Sequence, residues 1–111
     1  MYHVVFLVTK KPGMTQEEFI RYWIDDHCPL TAMVPGLREY KCYPMVGQMD
    51  GPKPPFDAIA YIAFDDETAC LAGLASDEFR NAVADGPNFQ DTSATFGFFA
   101  REYTIVDGSD R

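Results

Sequence analysis

Apolar positions along the chain come in short blocks set off by turn residues. The first block, HVVFLVTK from His3 to Lys10, is β-branched and aromatic and reads as a strand covered on both faces. Lys11-Pro12-Gly13 ends it. Thr15, with Glu18 three residues on, makes a reciprocal cap that starts a helix, and Met14 and Phe19 flank it at the spacing of a hydrophobic staple. The pattern predicts a helix to about Asp26 that stops before Pro29, since the residue before a proline disfavours helical geometry. Strands are predicted over Leu37 to Val46 and Phe56 to Phe64, joined by the Gly- and Pro-rich loop GQMDGPKPP. Asp65, Asp66 and Glu67 suit the positive end of a second helix, and Ala69, Cys70 and Leu74 follow at helical spacing. Ser76 caps a further short helix, DEFRNAVA, which runs into Asp85-Gly86-Pro87. Ala94 to Val106 reads as the last strand.

The order β-α-β-β-α-β predicts an α+β chain of the ferredoxin-like, split βαβ type. Two helices would cover one face of its sheet. Phe96, Phe98, Ala58, Ala60, Ile62 and Phe64 alternate along strands three and four and are expected to form a second apolar face. A patch of that kind marks an interface, so a homodimer with sheets packed face to face is expected. At 111 residues the chain makes one domain, read as 1–106 with a polar tail at 107–111.

Composition narrows the partners. Nine Lys and Arg against 17 Asp and Glu give a net charge of −8, which disfavours nucleic acid and anionic membranes. Apolar runs such as Val4 to Val8 fall far short of the roughly 20 residues a membrane span needs. The start MYHVVFLVTKK lacks the charged lead of a secretory signal. Cys28, Cys42 and Cys70 cannot all pair within one chain, and no C-x-x-C or His-rich tract suggests a structural metal. The expectation is three reduced thiols in a cytoplasmic protein, with no metal and no cofactor.

His27 is the leading chemical candidate. It lies near Trp23 and the line through Phe19, on the core-facing stripe of the first helix, at its carboxyl end. There it could work as a general acid or base, or simply cap the last carbonyls. Asp57 is its expected partner. It opens the third strand with Ile59 and Tyr61 on the same face, placed here under the helices. A carboxylate there is costly unless paired, though a frayed strand end in water is the plainer alternative. Tyr22, Tyr40 and Tyr61 could supply hydroxyls to a pocket or serve as core aromatics with wet tips. Cys42 could approach the pocket or be inert, and His3 has no evident partner.

The run FIRYWIDDHCPLTAMVPGLREY resembles the EthD family of small dimeric α/β-barrel proteins. In that pattern an aromatic pair, here Tyr22 and Trp23, is followed by His27, Pro29 and a P-G-L-x-x-Y turn, here Pro35 to Tyr40. PPFDAIAYIAFDD is similar to the family's Pro-aromatic-Asp strand, with Asp57 as the acid. ASDEFRNAVADGPNFQD is similar to its segment ending in Asn-Phe-x-Asp, here Asn88, Phe89 and Asp91, which adds Phe89 to the candidate substrate-binding residues.

The resemblance implies a barrel-forming homodimer with His27 in a pocket between sheet and helices. The family is named for a protein encoded with an ether-degrading cytochrome P450 system. The wider group includes a methylmuconolactone isomerase, aromatic polyketide cyclases and cofactor-free oxygenases. The expected function is therefore a cofactor-free isomerase or cyclase moving a proton on a small aromatic or lactone-like compound. His27 and Asp57 would be catalytic, and Tyr22, Trp23, Tyr40, Tyr61 and Phe89 would bind substrate. The alternatives are a non-catalytic carrier serving a partner oxygenase, or a haem-handling or cofactor-free oxidoreductase barrel.

Overall fold

Four strands pair antiparallel in the order β2-β3-β1-β4 in a computed structural model that describes residues 1–108. They are β1 Tyr2–Val8, β2 Glu39–Pro44, β3 Ala58–Phe64 and β4 Phe96–Arg101. Between β1 and β2 lie helix α1, Gln16–Tyr22, a π-helical turn, Trp23–His27, and helix α2, Cys28–Thr31. Between β3 and β4 lie α3, Glu67–Leu74, and α4, Asp77–Asp85. The arrangement is the α+β, ferredoxin-like fold. All four predicted strands extend beyond the observed ones at one end or both, and residues 102–108 leave the sheet. Of the expected tail, residues 109–111 lie outside the described part.

The helix starts follow local chemistry. Thr15 Oγ1 accepts the Glu18 amide while Glu18 Oε1 accepts the Thr15 amide, the expected reciprocal cap. Asp66 and Ser76 accept the amides of Ala69 and Phe79. Contrary to the prediction, the helical path does not stop before Pro29. One wide turn intervenes, with the Cys28 amide bonded to Trp23 O, and Pro29 then falls in the first turn of α2, where its missing N–H costs nothing.

The register reverses part of the face assignment. Val4 pairs with Ile62 and Phe6 with Ala60, and these residues face the helices. Ala58, Ala60, Ile62 and Phe64 are all buried there rather than on a second apolar face. The uncovered face carries instead Val5, Leu7, Ile59, Tyr61, Phe96 and Phe98, of which Phe96 and Phe98 are 62% and 49% exposed. β3 reads AIAYIAF, apolar on both sides, so alternation gives it no preferred orientation.

The core has two centres. Phe19, Trp23 and Phe89 pack with Val8, Ala58 and Ala60 near the π turn. Phe64, Ile62, Val34 and Cys70 pack under α3, where Gly73 leaves the space that the Phe64 ring fills.

Candidate functional site

A cavity of about 260 Å³ lies between the helix-covered sheet face and the helices. Phe6, Val8 and Ala60 come from the sheet, Phe79, Ala82 and Val83 from α4, and Gly97 from the start of β4. Gly97 keeps the wall open: a Cβ there would lie 3.2 Å from two atoms of the Phe6 ring. The polar groups in this apolar wall belong to His27, Thr31, Tyr40, Gln90, Thr92 and Thr95.

The π turn aims His27 into this space. Its Nδ1 lies 2.9 Å from Asp85 Oδ2, and its Nε2 lies 3.3 Å from Thr31 Oγ1, four residues on along the same helical face. A carboxylate only accepts, so Nδ1 carries the proton. In the neutral ring Nε2 then keeps its lone pair, which the Thr31 hydroxyl can meet. Phe89 packs against the imidazole, ring centroids 4.5 Å apart.

Asp85 is fixed from three sides. Tyr22 Oη donates to Oδ1 at 2.7 Å and Asn88 Nδ2 donates to the same oxygen at 3.0 Å, leaving Oδ2 for His27. Burial works against the carboxylate charge, but the bonds from Tyr22, Asn88 and His27 outweigh it and hold the group below its ordinary range. The same contact pushes the Tyr22 hydroxyl upward, because its neutral form is the one that donates. The constellation is an aspartate–histidine pair with the far ring nitrogen at an apolar cavity.

Of the residues singled out by sequence, Trp23, His27, Tyr40 and Phe89 line the cavity. Tyr22 acts behind it, on Asp85. Asp57 does not meet His27. Its Oδ2 accepts the Lys10 amide at 2.8 Å and its Oδ1 pairs with Lys53 Nζ at 3.0 Å, beside a separate shallow hollow with Gln16 and Met45. Burial opposes its charge, yet the Lys10 amide and the Lys53 ammonium hold it below the usual range. Asp57 thus ties β1 to the loop before β3. Tyr61 is also outside the cavity: it lies on the uncovered face, where its Oη donates to Glu39 at 3.0 Å. Both misplacements follow from the face reversal of β3. His3 lies on that face as well, buried, with Nδ1 3.3 Å from Met1 O and its ring 5.0 Å from that of Tyr61.

Asp85 and Thr31 were missed. The signal for Asp85 was its position: a carboxylate at the carboxyl end of a helix sits at the unfavourable pole and needs another reason to be there. Among the described residues, no group of three or more His, Cys, Asp or Glu side chains is placed to hold a metal ion, and no helix is long and apolar enough to cross a membrane.

The EthD domain model matches residues 11–93, from the turn after β1 to the segment before β4. The chain belongs to the EthD family. Among solved structures, an EthD family protein from Bacillus halodurans matches with a TM-score of 0.77 at 22% identity, covering 93% of this chain and 100% of that one. An EthD-like protein from Ralstonia eutropha matches with a TM-score of 0.67 at 19% identity, over 99% and 96% of the two chains. A dimeric ferredoxin-like protein of unknown function from Thermobifida fusca gives 0.68 at 18% identity, over 91% and 90%. At these identities the structural likeness speaks for the fold. The comparison with curated proteins finds no match.

Proposed function

We propose that this EthD protein is an isomerase or cyclase-type enzyme that moves a proton on a small aromatic or lactone-like compound, with His27 as the base. The observation that carries this reading is the Asp85–His27 pair, whose Nε2 meets an apolar cavity of about 260 Å³. Asp85 fixes the tautomer that leaves Nε2 basic. Nε2 would take a proton from carbon beside a substrate carbonyl, and the imidazolium, paired with Asp85, would return it to another carbon. No atom or electron is lost or gained, so the product is an isomer of the substrate. Tyr40, whose Oη accepts from Cys28 Sγ at 3.4 Å, lines the same cavity and is suited to polarise the carbonyl oxygen.

The test uses Trp23, the single tryptophan, which lines the cavity. Small phenols, quinones and lactones are screened by Trp23 fluorescence, and binders are followed by NMR in D₂O for deuterium entering carbon. His27→Gln should leave binding within about threefold and cut exchange by about 10²–10⁴. Equal exchange in the variant would remove His27 from the chemistry.

A second reading, a carrier that binds without reacting and serves a partner oxygenase, is favoured by the thin supply of catalytic groups. Tyr22 is engaged by Asp85 and Tyr61 lies on the other face. Binding with neither exchange nor turnover would support it.

The working unit in this proposal is a homodimer. The uncovered face with Phe96 and Phe98 supports it, as does the similarity to the dimeric Thermobifida fusca protein. Phe98→Arg should convert a dimeric mass in light scattering to a monomeric one. A wild-type monomer at micromolar concentration would refute it.

A further inference from the structure

Cys28 opens α2 and Cys42 sits mid-way along β2, and their sulfurs lie 3.7 Å apart. Both thiols are half-buried, whereas Cys70 is fully buried. The third member of the cluster is Tyr40, which links the two thiols to the cavity: Cys28 Sγ donates to its hydroxyl at 3.4 Å, and its ring forms part of the wall. Cys42 pairs with Ala60 in the register, so it lies on the helix-covered side, away from the uncovered sheet face.

We propose that Cys28 and Cys42 are a reversible dithiol–disulfide couple, closed by hydrogen peroxide, that resets the cavity through Tyr40. The Cys28 thiolate attacks one peroxide oxygen, the O–O bond breaks, and water leaves once the departing oxygen is protonated, giving a sulfenic acid. The Cys42 thiol then attacks that sulfur, the S–O bond breaks, and a second water leaves with the Cys42 proton. The two sulfurs are oxidised by two electrons in all and the peroxide is reduced to water.

The approach needed is small. The contact must shorten to a bond of about 2.05 Å, a movement within reach of side-chain rotation in a half-buried pair. The Cys42 thiol, hydrogen-bonded to Cys28, favours the Cys28 thiolate; burial opposes this, Tyr40 assists, and the group is held at about 7. Cys42 is pushed up and keeps its proton, the division of roles an attacking and a resolving thiol require. Closure turns the Cys28 sulfur that now bonds the Tyr40 hydroxyl into a disulfide sulfur, a weaker partner for it.

The full chain, reduced and then exposed to hydrogen peroxide, is alkylated and read by mass spectrometry. The expected product is 2 Da lighter before alkylation and takes up one alkyl group, on Cys70, where the reduced chain takes up three; it carries a Cys28–Cys42 linkage and is reversed by dithiothreitol. The Cys42→Ser variant should stop at a sulfenic acid on Cys28, trapped by dimedone. Closing the loop should raise the midpoint of thermal unfolding by about 5 °C or more. The affinity for 1-naphthol, read from Trp23, should change by about fivefold or more on oxidation of the wild type and not of Cys42→Ser. Free Cys28 and Cys42 after peroxide, or linkage only between chains, overturns the couple. An intramolecular disulfide with unchanged naphthol affinity overturns its action on the cavity. That second half rests on the cavity being a ligand site, while the mass measurement does not, so the two failures are told apart.

Discussion

Replacing Asp85 separates the pairing seen in the structure from the pairing the sequence suggested. Asp85→Ala removes three hydrogen bonds at once, from Tyr22, Asn88 and His27. Bonds to a charged group are worth about 1.5–3 kcal/mol each, but the cost of drying the carboxylate is returned when it is deleted. Asn88 is exposed and can take water in its place. His27 is the group left in difficulty: its side chain is 11% exposed, so its Nδ1–H would be stranded at a cost of about 1–3 kcal/mol. The expected net loss is about 2–4 kcal/mol at pH 7, read from urea unfolding.

The loss should also depend on pH in one direction. Asp85 has a depressed value when folded, so its contribution is fully present above the unfolded value of about 3.9 and disappears as pH falls through the lower folded value. Wild type and Asp85→Ala should therefore converge toward the acid end of the stability curve. Asp85→Asn keeps an acceptor for Tyr22 and Asn88 but turns an NH₂ toward His27. The ring must then carry its proton on Nε2, and deuterium exchange at carbon should fall about 10²-fold or more while stability falls by under about 2 kcal/mol. A loss below about 0.5 kcal/mol in Asp85→Ala, unchanged between pH 3 and 7, would refute the pairing.

Three further outcomes are expected. Asp57→Ala should cost about 1–2 kcal/mol, fading as pH falls below about 4, and should leave the His27 imidazole NMR signals in place; a shift as large as that in Asp85→Asn would restore the pairing read from sequence. Phe89→Ala should cost about 3–5 kcal/mol in urea unfolding, because the ring is 1% exposed and packs on Phe19, Tyr22, Trp23 and His27. Gly73→Ala should destabilise by about 1–3 kcal/mol despite its gain in helix propensity, since the new Cβ would lie 2.6 Å from the Phe64 ring and 3.0 Å from Pro35 O; a rise in the unfolding midpoint would show that the ring moves aside freely.

What the sequence by itself determined was whatever depends on near neighbours. The cap between Thr15 and Glu18 and the helix starts at Asp66 and Ser76 are satisfied within one turn, so residue types three apart suffice to announce them. The order of elements and the inward stripe of Phe19, Trp23 and His27 follow from a period of 3.6 residues, which is also local. What only the tertiary structure decided were the pairings across long separations. A β3 apolar on both faces could be turned over without violating any pattern, and only pairing with β1 set Tyr61 outward and Ala60 inward. The π turn carries the helix through Pro29, and no spacing rule foresees an inserted residue. Asp85 reaches His27 across 58 positions because α4 packs on α2, and a carboxylate at the end of one helix acquires its meaning from the histidine of another. Charge and hydrogen bonding act through space at about 3 Å, while sequence pattern records only what one chain segment owes to its own backbone.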